Sequence, residues 1–144
     1  MRRTGVALLL CLAVSSASAT AQTHDDNAAI REAILDYVEG WWTGDAARME
    51  GSLHPDLVKR IVFEHEATGR SMLNTASKND MVEHTRAGGG SKNPEQKGEV
   101  DVTIVDVSGD IATAIATSAR YVDYLHLAKW NGRWVIVNVL WGGR

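Results

Sequence analysis

Apolar residues recur at helical spacing at Ile30, Ile34, Tyr37, Val38 and Trp41, which places all five on one face. The spacing predicts a first helix over about 27–43, with Asp25 or Asp26 as N-cap and Gly44 just past its end. Asp45 can cap a second, shorter helix in "AARMEGSL". That helix must finish before Pro55, because a residue preceding proline is pushed out of the α region, and His54 sits at the break. "LVKRIVF" then predicts a strand over Leu57–Phe63. Ser77, with Asp80 three residues on, forms an approximate capping box and predicts a third helix over about 78–87. "GGGSKNPEQKG" has no apolar periodicity and reads as a mobile loop. Its spacing is not that of a phosphate-binding P-loop, and no strand leads into it.

After Gly98 the pattern is that of strands: "EVDVTIVDV", "IATAIATSA", "YVDYLHLAKW" and "RWVIVNVLW", with the turn "SGD" after the first. The last two are joined by Asn131-Gly132, a strong hairpin signal because a type I′ turn needs positive φ at both positions. Helices first and a meander of strands afterwards predict an α+β fold, with N-terminal helices packed on an antiparallel sheet.

A two-residue hairpin loop also fixes a register: Trp130 opposite Arg133, Leu127 opposite Ile136, Leu125 opposite Asn138 and Asp123 opposite Leu140. Alternation then sorts the pair into two faces. One carries Asp123, Leu125, Leu127, Lys129, Trp134, Ile136, Asn138 and Leu140. The other carries Tyr124, His126, Ala128, Val135, Val137, Val139 and Trp141. Both are rich in large apolar groups, whereas a sheet with one wet side shows a polar set there. The three helices can cover only one face, so the expectation is a homodimer through the outer face at Tyr124, His126, Val137, Val139 and Trp141.

Composition changes the picture mainly at the amino terminus. Arg2 and Arg3, the apolar run Val6–Val14 and the small residues of "SSASATAQ" make the pattern of a secretory signal peptide, and the run is too short to span a bilayer. The reading is therefore a leader over 1–21 and a single domain over 22–144, exported to the periplasm or secreted. Loss of Arg2 and Arg3 takes the formal charge from −3 to −5, which argues against nucleic acid or an anionic membrane as partner. The one cysteine, Cys11, leaves with the leader, so thiol nucleophiles, thiolate metal sites and disulfides are excluded from the mature chain. "EHE" at Glu64 to Glu66 splits its side chains between two strand faces and is not a metal site; no metal or cofactor is expected.

The combination of "YVEGWWTGDAARMEGSLHPDLVKR", "SKNDMVEHTR" and "VDYLHLAKWNGRWVIVNVLW" resembles the putative lumazine-binding branch of the NTF2-like superfamily. Its relatives include the SnoaL-like polyketide cyclases and the ketosteroid isomerases. The resemblance covers essentially the whole mature chain. It implies a cone, in which a strongly curved antiparallel sheet wraps a long N-terminal helix and a pocket opens between helices and sheet. It also implies dimers that pack sheet on sheet. Catalytic relatives use an Asp or His deep in the pocket, sometimes with a tyrosine hydroxyl; in matching motifs here stand Asp123, in the penultimate strand, and His54, in the His-Pro-Asp break. The resemblance does not imply a reaction.

Three functions stay open. The preferred one is an exported, non-catalytic or weakly catalytic binder of a small, partly apolar molecule, oriented by Asp123 and Asn138 and packed on by Trp41, with His54 and Trp134 as further contacts. The rival is an isomerase, cyclase or dehydratase in which Asp123 or His54 shuttles a proton beside a carbonyl. The third is an interaction module whose cone its own side chains fill. Each residue has a plainer role to set against these. Asp123 can close the cone's mouth by pairing with Arg60, Arg86 or Arg120. His54 can bond nearby backbone at its turn. Trp41 and Trp42 can both be core. His84 is expected at an exposed helical position, and Lys129 near the hairpin end can reach water.

Overall fold

The computed structural model describes residues 15–144, with side-chain surroundings from Asp25 onward, Gln96 excepted. The apolar run Val6–Val14 of the expected leader lies outside the described residues. Helix α1 spans Ser15–Thr43 and begins well before the point that the apolar spacing marks. Asp25 and Asp26 are therefore inside the helix and do not cap it. "SSASATAQ" contains neither proline nor glycine to stop a helix, so nothing forces a start at Asp25.

Helix α2, Ala46–Ser52, starts where expected: the Asp45 carboxylate accepts the backbone N–H groups of Ala47 and Arg48 at 3.0 and 3.1 Å. Arg48 ties α2 back to α1 through Asp36 and Glu39, each at 2.8 Å. Helix α3, Lys78–Arg86, carries the full reciprocal capping box of Ser77 and Asp80.

Strand β1, Leu53–His65, is longer than the predicted segment and absorbs His54 and Pro55. Its antiparallel partner β2, Arg70–Ser77, has no counterpart in the sequence pattern. Nearly all of β2 is exposed, and an edge strand that buries nothing has no reason to alternate. Strands β3 (Asp101–Ser108), β4 (Ile111–Thr117), β5 (Tyr121–Trp130) and β6 (Arg133–Gly143) form the expected meander. Asn131 and Gly132 take φ of 50° and 78° in its last turn. The sheet order is β2-β1-β6-β5-β4-β3, and among the described residues the β1–β6 junction is the one parallel pairing. The three helices lie against one face of this curved sheet. Ile30 and Ile34 of α1, Leu125 and Leu127 of β5, and Ile136 and Val139 of β6 form the fully buried centre.

The β5–β6 register holds from Trp130 opposite Arg133 as far as Leu127 opposite Ile136, and then slips. Val137 is an extra residue. Beyond it, Asn138 faces His126, Val139 faces Leu125, Leu140 faces Tyr124 and Trp141 faces Asp123. The face assignment for the end of β6 is thereby corrected: Asn138 and Leu140 move to the outer face, while Val139 and Trp141 move to the helix-covered face. Exposure agrees, at 0% for Val139 and 46% for Leu140. A bulge lets the strand bend, as a sheet curving around a helix requires. "VIV" at Val135 to Val137 is apolar at every position and so fits either count.

Candidate ligand-binding site

A cavity of about 320 Å³ lies between α1, α3 and the inner face of the sheet. Helix α1 supplies Tyr37, Trp41 and Trp42 to its wall; the strands supply Lys59, Asp123 and Trp141. These side chains converge because Lys59 pairs with Val139, and Asp123 with Trp141, on the same inner surface after the bulge.

The polar end of the cavity is a three-membered cluster. The Tyr37 hydroxyl donates to Asp123 Oδ1 at 3.0 Å, Lys59 Nζ donates to the Tyr37 oxygen, and Nζ stands 3.4 Å from Asp123 Oδ1. The Lys59 ammonium also sits 4.7 Å from the centre of the Trp141 ring, a cation–π distance. Burial pushes the Lys59 ammonium below its ordinary range, and the Asp123 carboxylate opposes that shift. The Tyr37 phenol is pushed well up, first by burial and then by the negative Asp123 beside it. The phenol donates to the carboxylate, and Lys59 stands beside both in a nearly dry place.

The rest of the wall mixes aromatic and apolar groups with the polar side chains of Asn74, Thr75, His84, Asn93 and Ser118. Trp42 is buried at the end of α1, while Trp41 is part exposed on the loop side. The loop after α3 is packed, and its glycines are required: a Cβ on Gly89 would lie 2.3 Å from the Trp41 ring, and one on Gly90 2.4 Å from it. The segment expected to be mobile thus lets the backbone lie flat against an indole.

Of the residues singled out from the sequence, Asp123 and Trp41 border the cavity. His54, Trp134 and Asn138 do not. His54 Nδ1 accepts the Asp56 backbone N–H at 3.0 Å, and its ring meets Trp130 edge-on at 4.6 Å. Trp134 is buried, and its Nε1 donates to Asp26 Oδ1 at 2.9 Å; Lys129 donates to the same oxygen at 2.7 Å. Both residues therefore clamp the hairpin to α1, and Lys129, with 26% of its side chain exposed, does so while reaching water as expected. Asn138 accepts from Arg60 on the outer face, at 2.9 Å.

The partner of Asp123 is also not one of the three arginines considered. Arg60 is on the opposite face, Arg86 pairs with Glu83, and Arg120 pairs with Glu95. Lys59 was legible in principle. Within "LVKRIVF" it shares the parity of Leu57 and Ile61, a single cation on an otherwise apolar strand face. Tyr37 was hidden because a tyrosine on an apolar helix stripe reads as core. His84, on α3, borders the cavity from an exposed position. Among the described residues no group of three or more His, Cys, Asp or Glu is placed to hold a metal ion.

The sequence profile of the family described as "Putative lumazine-binding" matches residues 25–142. No curated protein matches the chain. Among solved structures, it is similar to an NTF2-like protein of unknown function from Silicibacter pomeroyi, at 20% identity and TM-score 0.63, covering 85% of this chain and 98% of that one. An NTF2-like protein with a cystatin-like fold from Novosphingobium aromaticivorans is 17% identical with TM-score 0.63, over 90% of this chain and 88% of its own. A ketosteroid isomerase-like protein from Erwinia carotovora atroseptica is 18% identical with TM-score 0.53, over 81% and 94% respectively. At these identities the likeness establishes the shared NTF2-like α+β cone and carries no activity across.

Proposed function

We propose that this chain, which belongs to the putative lumazine-binding family, binds a small, flat, partly apolar molecule in the cavity between α1, α3 and the sheet. The observation that carries this reading is the composition of the cavity wall: aromatic rings from Trp41, Trp42 and Trp141, a bonded cluster of Lys59, Tyr37 and Asp123, and further donors and acceptors on Asn74, Asn93 and Ser118. Apolar walls with a few convergent polar groups are the usual make-up of a small-molecule site.

Tryptophan emission tests it, because three of the five tryptophans border the cavity. Titration with pterins, lumazines and flavins is expected to quench the emission saturably, and Ala76→Phe, which projects a ring into the same space, to abolish the quenching. Unchanged emission with the whole panel, or quenching that survives Ala76→Phe, defeats the proposal. The rival reading of a proton-shuttling enzyme has less support. His54, one of its two candidate proton carriers, has no place at the cavity.

The proposal extends to export and assembly. The amino-terminal pattern supports export, and the outer sheet face supports a homodimer. The face carries His126 and the large exposed groups Tyr124, at 53%, and Leu140, with Val62 and Leu73 on the adjoining strands. Relative to the sequence expectation, Val139 and Trp141 leave this patch and Leu140 enters it. Native mass spectrometry of protein recovered from the exported fraction reads both points at once. Two chains beginning at Thr20 or Gln22 are expected, and Tyr124→Glu should yield single chains. A monomer at micromolar concentration removes the dimer, and a chain retaining Met1 removes the export.

A further inference from the structure

We propose that Lys59 is an imine-forming amine, so that the cavity captures aromatic aldehydes or ketones by a reversible covalent bond. The inference rests on the ligand-binding reading of the cavity and narrows its ligand class to carbonyl compounds.

Three chemical parts are needed to join an amine to a carbonyl, and the inner face supplies all three within hydrogen-bonding distance of one another. They are a nucleophilic nitrogen, a base to take the ammonium proton, and an acid to serve the carbonyl oxygen. Lys59 borders the cavity with its side chain 13% exposed, Asp123 Oδ1 lies 3.4 Å from its Nζ, and the Tyr37 hydroxyl bonds both. In a poorly solvated site an ammonium and a carboxylate can exchange their proton, giving an amine and a carboxylic acid with no charge to solvate. Burial also lowers the Lys59 ammonium's hold on its proton. The ring of Trp141 flanks the nitrogen and would stack on an aryl group beside the carbonyl.

The steps balance without an oxidant or reductant. The Lys59 proton passes to Asp123. The freed amine forms a bond to the carbonyl carbon, and the π pair moves to oxygen, which takes a proton from Tyr37 while the nitrogen returns one to the phenolate. The resulting carbinolamine hydroxyl takes the Asp123 proton and leaves as water as the nitrogen lone pair closes the C=N bond. An iminium paired with the Asp123 carboxylate remains, so the cluster ends with the charge it had at the start. Hydrolysis reverses each step.

The test is reductive trapping of the full chain with 2-naphthaldehyde and sodium cyanoborohydride near pH 7.5, followed by peptide mapping. Lys92 and Lys97, exposed on the loop after α3, serve as internal controls. Labelling of Lys59 is expected to be faster than at either by on the order of tenfold, since a buried lysine holds more free amine than a surface one. Tyr37→Phe, which removes the acid that serves the carbonyl oxygen, is expected to slow it selectively. Labelling of Lys59 no faster than of Lys92 and Lys97 in the unmodified sequence overturns the inference, and needs no variant to fold. The alcohol 2-naphthylmethanol separates the two readings: if it quenches tryptophan emission saturably while Lys59 labels no faster than the controls, the imine falls and the cavity stands. If it also fails to quench, both fall for this ligand shape.

Discussion

Replacing Val139 with asparagine is expected to lower the unfolding free energy by about 3 kcal/mol or more, while replacing Asn138 with valine changes it by about 1 kcal/mol or less. Val139 is fully buried beside Leu125 on the helix-covered face. Asparagine there forfeits a buried valine's transfer energy, about 1.5–3 kcal/mol, and adds an amide with no partner, about 1–3 kcal/mol more. Asn138 lies on the outer face, where its main bond is the one accepted from Arg60, a contact worth roughly 1 kcal/mol net. Urea denaturation of the two variants ranks them directly. An unbulged hairpin requires the opposite order, because it would place Asn138 inside and Val139 outside; equal or reversed costs would therefore remove the bulge from the argument.

Asp123→Ala is expected to cost about 3–5 kcal/mol at neutral pH, the usual loss when one member of a buried ion pair is removed and the other stays. Lys59 would lose its counter-charge and Tyr37 the acceptor of its hydroxyl. Replacing both charges, Lys59→Met with Asp123→Leu, is expected to recover the part owed to the stranded lysine, since two apolar side chains of similar volume need no pairing, while the Tyr37 hydroxyl stays without its acceptor.

The pH dependence has a defined sign. Lys59 binds its proton less tightly when folded than its ordinary 10.5, so the unfolded chain holds more protons and stability rises with pH up to about 10.5. Below the folded-state value the penalty is fully present. Removing Asp123 removes the influence that holds the Lys59 proton on, so the rising limb begins at lower pH in Asp123→Ala and the deficit shrinks as pH rises. Tyr37 contributes with the opposite sign: its folded value lies above 10.0, so its contribution is present below 10.0 and is lost as pH climbs through the folded value. Chemical denaturation between about pH 7 and 9.5 isolates the lysine. A deficit that grows over this range contradicts the assignment of Lys59 as the stranded charge.

How much was legible follows from what each signal measures. The capping residues Asp45 and Ser77 and the Asn131-Gly132 turn were readable because each satisfies a local backbone demand that side-chain identity records. The helix-on-sheet class followed from the change of period at Gly98. Strand β2 was not readable, since it buries almost nothing. The faces of β5 were right along their length because β5 alternates cleanly, and those of β6 were right only as far as Ile136. The site was half visible for the same reason: Asp123 is on β5, whereas its true neighbours Lys59 and Trp141 enter through the β1–β6 pairing, which a local pattern does not record. Trp134 was expected at the pocket, and the structure places its indole on Asp26, 108 positions away, a pairing that no local pattern records.

The bulge at Val137 also constrains how this chain can change in length. Between the bulge and Gly143, a one-residue insertion or deletion in β6 would exchange Val139 and Trp141 with Leu140, inverting the chemistry of both surfaces in a single event. A change of two residues would restore it. Natural length variation in that segment should therefore come in even steps, while the exposed stretch around Gly98, which has no parity to keep, can lengthen by any number.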